Sequence, residues 1–330
     1  MTFLQAIVIG IVQGVTELFP VSSLGHTVLV PALIGGSWAK LVAQEASPES
    51  PYLAFVVGLH VATSAALILF FWREWLRLLR GLCVSAIHRR IDTDDQRLAW
   101  LILIASVPVG LLGLVLEHPL RVLFAKPVAA AAFLTANGVL LGVGQAAARG
   151  RRRRRPTVDG AHAAPLVAVG AEPRSAGATG VGVVPDTDPC PGGVAESGEG
   201  DRRKPAGLSV ADALGIGVAQ TAALCAGISR DGICMVAGLW RGLSREDAAG
   251  FAFLLSAPPI FAAGLLKLPD LLGPLGTGIR PQILAGSGAA FVVAFVSVWF
   301  LTRYFRTRSL LPMAVYCLLF GVACLLRFGL

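Results

Sequence analysis

Six apolar runs dominate the chain, and each is long enough to cross a bilayer, which takes about 20 helical residues. They lie near 53–72, 98–118, 128–148, 246–266, 282–302 and 310–330. The chain as a whole is 55% hydrophobic and only 15% charged. A soluble domain does not hide that much apolar surface, so the bilayer is the solvent for most of this chain. We therefore expect an all-α integral membrane protein with six transmembrane helices.

The Lys and Arg residues lie mainly in short connections between these runs. The net charge of +8 is therefore a membrane-topology signal and does not indicate a nucleic-acid partner. The connections 73–97, 149–207 and 303–308 contain 6, 10 and 3 basic residues, and we predict that they are cytoplasmic. This orientation places both termini on the outer side of the membrane.

Two further apolar regions, 3–34 and 208–240, are interrupted by polar residues and glycine. Non-helical backbone at membrane depth is tolerated only where protein or a water-filled cavity satisfies its polar groups. We interpret both regions as re-entrant hairpins of two short helices. Each half of the chain then has one hairpin followed by three spans, and three crossings invert the second half relative to the first.

A local similarity supports this inverted-topology repeat. Residues 13–25 align without gaps on residues 220–232, with Gln, Ser and Gly at matching positions. The predicted units are a first repeat at 1–148, an inverted second repeat at 208–330, and a disordered, arginine-rich cytoplasmic linker at 149–207. Inverted repeats with discontinuous helices bind their substrates near the membrane midplane, where half-helix N-termini face anionic groups.

Each hairpin is predicted to break at a turn whose backbone N–H groups point inward at an anion. In the first hairpin Pro20 removes a donor and stops one half-helix, and Thr27 starts the next. The candidate substrate-binding residues in and beside the two turns are Gln13, Ser22, Gly25, Gly227, Ser229 and Gly232.

Three charged residues, Glu17, Arg230 and Asp231, are predicted at membrane depth. Each costs roughly 2.5–3.5 kcal/mol to insert there, so the three should face a cavity and pair internally. One interpretation is a structural Glu17–Arg230 ion pair without chemistry. A catalytic site is favoured instead, because Ser23 and His26 lie three residues apart in one turn, within the reach of a hydroxyl–imidazole pair.

A phosphate ester needs a guanidinium and N–H groups to gather its charge, together with a nucleophile and a base. Arg230, at a half-helix N-terminus, supplies the guanidinium. Ser23, His26 and an activated water all stay open as the nucleophile. Three roles stay open for Glu17, which lies one helical turn beyond Gln13: orienting His26, acting as the base, or holding a divalent cation.

Two stretches resemble the signatures of the undecaprenyl-diphosphate phosphatase family, the bacitracin-resistance type. The first signature is similar to residues 13–26, QGVTELFPVSSLGH, and the second to residues 226–232, AGISRDG. The resemblance covers both halves of the chain, including residues 251–258, and fails only in the long linker.

The resemblance implies that Glu17, Ser23 and His26 act in catalysis and that Arg230 grips the diphosphate. The implied reaction converts undecaprenyl diphosphate to undecaprenyl phosphate and inorganic phosphate, with a divalent cation, Mg²⁺ or Ca²⁺. The implied location is a bacterial plasma membrane, with an outward-facing active site that recycles the lipid carrier of cell-wall synthesis. A homodimer is also considered as the assembly.

Two residues depart from the family pattern, which usually has Pro at the position of Ala226 and Ser at the position of Asp231. Loss of the proline loosens the turn slightly. A carboxylate beside Arg230 repels phosphate unless it is protonated or binds a metal. The metal ligands that we expect are therefore Glu17 and Asp231.

A transporter is the alternative function, because the same inverted-repeat cavity suits a flippase for a polyprenyl phosphate. A pure carrier has no need of a nucleophile and a base, so the hydroxyl, imidazole and carboxylate of the first turn favour the enzyme. The acid-phosphatase-like membrane enzymes are excluded, since the chain has no Lys-x6-Arg-Pro motif and no His five residues after Arg230. Two roles stay open for His60 and Thr63, on the first span: lining the cavity, or a buried, hydrogen-bonded core role, which is favoured for each.

Overall fold

A computed structural model describes residues 1–45, 51–124, 126–154, 204–273 and 278–329, and every regular element in these ranges is helical. The helices of the first half are α1 (Phe3–Thr16), α2 (Ser23–Ile34), α3 (Gly36–Glu45), α4 (Pro51–Phe70), α5 (Trp72–His88), α6 (Asp94–Phe124) and α7 (Pro127–Arg154). Those of the second half are α8 (Val210–Gln220), α9 (Arg230–Trp240), α10 (Arg245–Leu272), α11 (Arg280–Thr307) and α12 (Leu311–Gly329). Short 3-10 helices at Pro205–Gly207 and Thr221–Leu224 precede and follow α8.

Five helices, α6, α7, α10, α11 and α12, contain stretches long and apolar enough to cross a membrane. The bent pair α4 and α5 adds a sixth crossing if it is counted as one span, but the two helices meet at an angle of 84°. The expectation of an all-α integral membrane protein is thus confirmed, with five to six candidate spans. The predicted run 53–72 ends early, because α4 stops at Phe70 and the chain changes direction there.

The two pairs of short helices begin with the same capping arrangement. Thr2 and Gln5 form a capping box at the start of α1, with hydrogen bonds of 2.8 and 3.2 Å. Ser209 and Asp212 form one at the start of α8, with both bonds at 3.1 Å. The two capping boxes are separated by the same number of residues as the two aligned segments, 13–25 and 220–232.

The first helix of each pair packs against a long helix of the opposite half. Helix α1 packs along α11, where Gly10 lies against the backbone of Gly286. Helix α8 packs along α6, where Gly217 lies against the backbone of Ala105. Glycine is required at both crossings, because a Cβ atom on either residue would overlap a carbonyl group of the facing helix. Helices α4 and α10 also pack together, as do α7 and α12.

Two predicted boundaries are wrong. Helix α2 begins at Ser23 and not at Thr27, because the Ser22 hydroxyl accepts a hydrogen bond from the Gly25 N–H (3.4 Å) and caps the helix four residues earlier. Helix α7 continues to Arg154, past residue 149 where the linker was predicted to start. Residues 155–203, most of the predicted linker, lie outside the described residues.

Candidate active site

The breaks between α1 and α2 and between α8 and α9 lie in direct contact. The Ser22 hydroxyl accepts a hydrogen bond from the Gly227 N–H at 3.1 Å. A Cβ atom on Gly25 would lie 3.1 Å from the Cα atom of Gly227, so the two backbones approach closely at this point. Gly227 has φ +120°, a conformation that L side chains rarely adopt, and glycine therefore permits this turn.

A fully buried amide, Asn137 of α7, links the two breaks a second time. Its Nδ2 donates to the carbonyl of Pro20 (3.1 Å), and its Oδ1 accepts from the N–H of Ser229 (3.0 Å). No role was predicted for this residue from the sequence. The available signal was a lone amide within the apolar run 128–148, since a polar group at membrane depth needs partners.

The predicted substrate-binding N–H groups of the turns are already bonded to protein oxygens. The N–H groups of Gly25 and Gly227 donate to the Ser22 hydroxyl, and that of Gly232 donates to the Ser229 hydroxyl at 3.1 Å. Ser22 and Ser229 are the N-caps of α2 and α9. We therefore assign these five residues to building the turns that present Ser23 and Arg230, the first residues of the two helices.

Glu17 is the centre of the first break, directly after α1, and its side chain is 7% exposed. Its Oε2 atom accepts a hydrogen bond from Gln13 Nε2 at 2.8 Å and another from the Ser23 hydroxyl. The Nε2 atom of His60 lies 3.4 Å from the same oxygen. One carboxylate oxygen thus gathers an amide, a hydroxyl and an imidazole.

His60 lies beside Glu17, so the favoured prediction of a core role is wrong for it, and the alternative, a residue that lines the site, agrees with the structure. Its Nδ1 atom lies 2.9 Å from the Val56 carbonyl, while Nε2 faces Glu17. Both ring nitrogens therefore face oxygen acceptors. Thr63 is buried and donates to the His60 carbonyl at 3.0 Å, so the core role predicted for Thr63 is confirmed.

His26 does not bond Ser23, and the predicted hydroxyl–imidazole pair is therefore wrong. Its Nδ1 lies 2.7 Å from the Ser22 carbonyl, which can only accept, so Nδ1–H donates there. The Tyr316 hydroxyl, 2.8 Å from Nε2, then donates to that nitrogen. The ring also stacks on Tyr316 and Phe320, with centroids 5.7 and 5.3 Å apart. His26 thus buttresses the turn, and Ser23 pairs with Glu17 instead.

Arg230 and Asp231 contribute the second break's charges. The Arg230 guanidinium lies within electrostatic range of the Glu17 carboxylate. Asp231 is buried, and its Oδ1 accepts a hydrogen bond from the Ser256 hydroxyl. Three buried atoms of this cluster have no hydrogen-bond partner among the described residues: Arg230 Nη1, Asp231 Oδ2 and Gln13 Oε1. Buried polar groups are normally paired, so these atoms indicate a place for a polar ligand.

The residues of the site fit a divalent cation that binds together with its substrate. The described residues include no group of three or more His, Cys, Asp and Glu side chains placed to hold a metal ion. They do offer two carboxylates, Glu17 and Asp231, which act on each other electrostatically. Mg²⁺ is commonly bound by one or two carboxylates plus waters and substrate phosphates, and the unpaired Asp231 Oδ2 is available for that role.

Comparisons with known proteins match both halves of the chain. The family model described as bacitracin resistance protein BacA matches residues 6–172 and 191–323. Undecaprenyl-diphosphatase 2 of Frankia alni is 52% identical over 346 residues, which cover 100% of this chain and 99% of that protein. The undecaprenyl-diphosphatase of Mycolicibacterium paratuberculosis is 52% identical over 333 residues, with 100% and 98% covered. That of Acidiphilium cryptum is 39% identical over 336 residues, with 99% and 98% covered.

Proposed function

The chain belongs to the family of the bacitracin resistance protein BacA, and from that membership we propose that it is a bacterial membrane phosphatase that hydrolyses undecaprenyl diphosphate. The products are undecaprenyl phosphate, the recycled lipid carrier of cell-wall synthesis, and inorganic phosphate. The names of the relatives describe this diphosphatase, so the flippase alternative is not favoured. The observation that carries the proposal is the hydrogen-bonded pair of Glu17 and Ser23 in the first break, with Arg230 of the second break beside it. The two breaks are far apart in the sequence.

The proposed topology is an inverted repeat of two re-entrant helix pairs and six spans. Two features recur at the same residue offset in both halves and support it: the capping boxes of α1 and α8, and the glycine crossings at Gly10 and Gly217. The excess of basic residues in 73–97, 149–207 and 303–308 favours a cytoplasmic location for those connections. Both termini then lie on the outer side of the plasma membrane, and the family resemblance implies the same side for the active site.

Arg230 binds the terminal phosphate in this proposal. A guanidinium matches phosphate oxygens with a planar pair of donors, and its Nη1 atom has no hydrogen-bond partner among the described residues. The N-terminus of α9 adds a positive helix dipole at the same point. Phosphoryl transfer depends mostly on positioning and charge stabilisation, and these are the contributions that the second break makes.

Glu17 and Ser23 supply the base and the nucleophile. The Ser23 hydroxyl already donates its hydrogen bond to Glu17 Oε2, so the proton passes to the carboxylate as the Ser23 oxygen attacks the terminal phosphorus. The bond to the bridging oxygen breaks, and undecaprenyl phosphate leaves with that oxygen. Water then hydrolyses the phosphoserine, which releases phosphate and restores Ser23. His60 holds Glu17 in place through its 3.4 Å contact.

Glu17 and Asp231 are the residues that would hold a divalent cation, with Gln13 Oε1 as a neutral oxygen nearby. Such a cation neutralises part of the charge on the diphosphate when it is bound. It would also offset the repulsion between the Asp231 carboxylate and the phosphates. Arg230 acts against the same repulsion.

Phosphate release from undecaprenyl diphosphate by the purified protein tests this proposal. We expect turnover by the wild type, loss of turnover in EDTA, and recovery on addition of Mg²⁺ or Ca²⁺. Glu17→Gln and Ser23→Ala should lower the rate by at least about 100-fold, because each removes a partner of the reacting pair. Arg241→Ala is the matched control, since Arg241 ends α9 and pairs with Asp212 (2.6 Å) outside the site.

The nucleophile is tested separately by rapid quenching with substrate labelled on its terminal phosphorus. A burst of label on the protein that is absent from Ser23→Ala supports attack by serine. Turnover by Ser23→Ala near the wild-type rate, without any labelled protein, would assign the attack to a water activated by Glu17. Wild-type turnover by Glu17→Gln would remove the site altogether.

A further inference from the structure

Helix α5 turns away from the apolar helix α4 that precedes it. The 84° bend lies at Phe71, where four phenylalanine rings pack around the elbow. Phe70 contacts Phe71 and Phe295 edge-on, with centroids 4.9 and 5.5 Å apart, and Phe71 stacks on Phe253 at 6.4 Å. The elbow is therefore packed on both sides, and α5 runs nearly perpendicular to α4.

One side of α5 is attached to α6. Leu78 and Ser85 of this side are buried, and the indole N–H of Trp100 donates to the Ser85 hydroxyl at 2.9 Å. A Cβ atom on Gly81 would lie 3.2 Å from the backbone nitrogen of Gln96, so the two helices touch closely. This attachment fixes the rotation of α5 and decides which side chains point away from the protein.

Two ridges of α5 point away from the protein, and they differ in chemistry. The residues of the apolar ridge are spaced three or four positions apart along the helix, and all of them are exposed. They are Trp72 (49%), Leu76 (58%), Leu79 (51%), Cys83 and Ile87 (77%). The basic ridge lies about a quarter-turn further round the helix. It consists of Arg73, Arg77, Arg80 and His88, with Val84 between the last two, and all five side chains are exposed.

We propose that α5 lies in the plane of the membrane surface and that its arginine ridge binds the phosphate groups of anionic phospholipids. The apolar ridge needs hydrocarbon and the arginine ridge needs water or phosphate, and only the boundary of a bilayer offers both to one helix. The elbow brings α5 to that boundary, because the apolar helix α4 ends there.

Charge complementarity selects anionic lipid over zwitterionic lipid. Three arginines on one ridge, followed by Arg89, form a positive surface at the end of an apolar helix, which attracts an anionic leaflet, whereas Arg90 pairs with Asp92 at 3.8 Å. Arg73 lies over the ring of Trp72 (5.3 Å), which holds its guanidinium at the depth that indole rings prefer. Glu74 faces Arg77 at 3.7 Å in an exposed pair, which leaves the ridge with a net positive charge.

Lipid selectivity in nanodiscs tests the arginine ridge. The full-length protein is reconstituted with phosphatidylcholine and labelled phosphatidylglycerol, and the labelled lipid in contact with the protein is measured by energy transfer from tryptophan. Wild type should prefer phosphatidylglycerol, with each arginine contributing up to about fivefold. Arg73→Gln with Arg77→Gln and Arg80→Gln should lower the preference at least about tenfold, and the same three positions changed to Lys should keep most of it.

Phosphatase activity in detergent serves as the control for folding, since these arginines lie outside the active site. Equal preference for the two lipids in the wild type would overturn the proposal. A glutamine variant that is active and keeps the wild-type preference would overturn it as well. If the glutamine variant is inactive, the lysine variant decides, because loss of preference with retained charge contradicts headgroup binding.

Probe depth tests the placement of α5 independently of lipid charge. A fluorescent probe on Cys83, with the other cysteines replaced, should be quenched by lipids brominated on their acyl chains and protected from iodide. A probe attached at Arg80→Cys should show the reverse, because it lies on the other ridge. Strong iodide quenching at Cys83 would place α5 in water and sink the proposal.

Discussion

The two helix breaks share one backbone design and carry different chemistry. In each, a serine hydroxyl accepts from the N–H three residues ahead and caps the helix that follows: Ser22 for Gly25, and Ser229 for Gly232. The next residue is the first of its helix, and it is Ser23 in one break and Arg230 in the other. A repeated cap thus delivers a hydroxyl from one side of the site and a guanidinium from the other.

The breaks also differ in where the backbone is strained. In the second break the left-handed residue is Gly227, for which φ +120° carries little penalty. In the first it is Ser22 itself, at φ +69°, which costs a non-glycine residue on the order of 1–3 kcal/mol. The bonds from His26 to the Ser22 carbonyl and from Gly227 to its hydroxyl offset this cost. The first break therefore depends on support from other elements, while the second depends on a glycine.

The aligned glutamines show that sequence similarity alone does not assign a role. Gln13 bonds Glu17 inside the site. Gln220, at the matching position, donates to the Ala105 carbonyl at 3.4 Å and faces the long helix α6. The difference follows from position 17, whose carboxylate is matched by the apolar Leu224 in the second half.

Arg230→Ala should lower catalysis more than any other substitution considered for the two breaks, because it removes the positive charge that the second break contributes to the site. We expect kcat/KM to fall about 1,000-fold, as for other guanidinium groups that stabilise a transferring phosphoryl group. Arg230→Lys should recover only part of the rate, since an ammonium lacks the planar fork. Phosphate release measures both, and activity of Arg230→Ala within tenfold of wild type would contradict the assigned role.

Substitution of His26 tests whether this residue supports the backbone of the first break or takes part in the reaction itself. His26→Ala should lower kcat about 100-fold through misplacement of Ser23. His26→Asn keeps a donor near the position of Nδ1, so it should recover activity to within about tenfold of wild type, whereas His26→Gln should not. The opposite order would show that Nε2 acts in catalysis, and single-turnover rates with circular dichroism as the folding control decide between them.

His60→Gln tests whether the imidazole beside Glu17 contributes to catalysis through that carboxylate. Removal of the imidazole should lower kcat about tenfold, a loss of roughly 1.4 kcal/mol of transition-state stabilisation. The effect should disappear in the Glu17→Gln background, because His60 acts through that carboxylate. If the losses of kcat from the two single variants add in the double variant, His60 does not act through Glu17.

Asn137→Leu should have the smallest effect on catalysis and a clear one on stability. It leaves the Ser229 N–H unpaired, at a cost of about 1–3 kcal/mol for the buried group, and leaves the Pro20 carbonyl with only the Cys317 thiol as a donor among the described residues, at 4.0 Å. We expect a lower Tm and only a few-fold loss of kcat at temperatures where the protein stays folded. Gln145→Leu, another amide buried on α7, is a matched control for stability away from the breaks. A larger loss of kcat without any change of Tm would give Asn137 a direct role.

Much of the architecture is readable from the chain because it depends on local physics. Apolar length places the spans, and Pro20, Gly25, Gly227 and Gly232 mark the two breaks. The boundary at Ser23 was missed by four residues, since two consecutive serines offered competing caps. The elbow after Phe70 was missed because the apolar run continues through Phe71 and Trp72, and hydropathy does not report direction.

Patterns in the amino-acid chain are enough to identify a helical membrane protein with two interrupted segments, a carboxylate, a hydroxyl and a guanidinium at membrane depth, and membership of a phosphatase family. Which of these groups meet is set by the packing of the helices. It paired Ser23 with Glu17 and not with His26, brought His60 into the site, and used Asn137 to join the breaks. Helical periodicity and capping act over a few residues, whereas these partners are set by how distant helices cross.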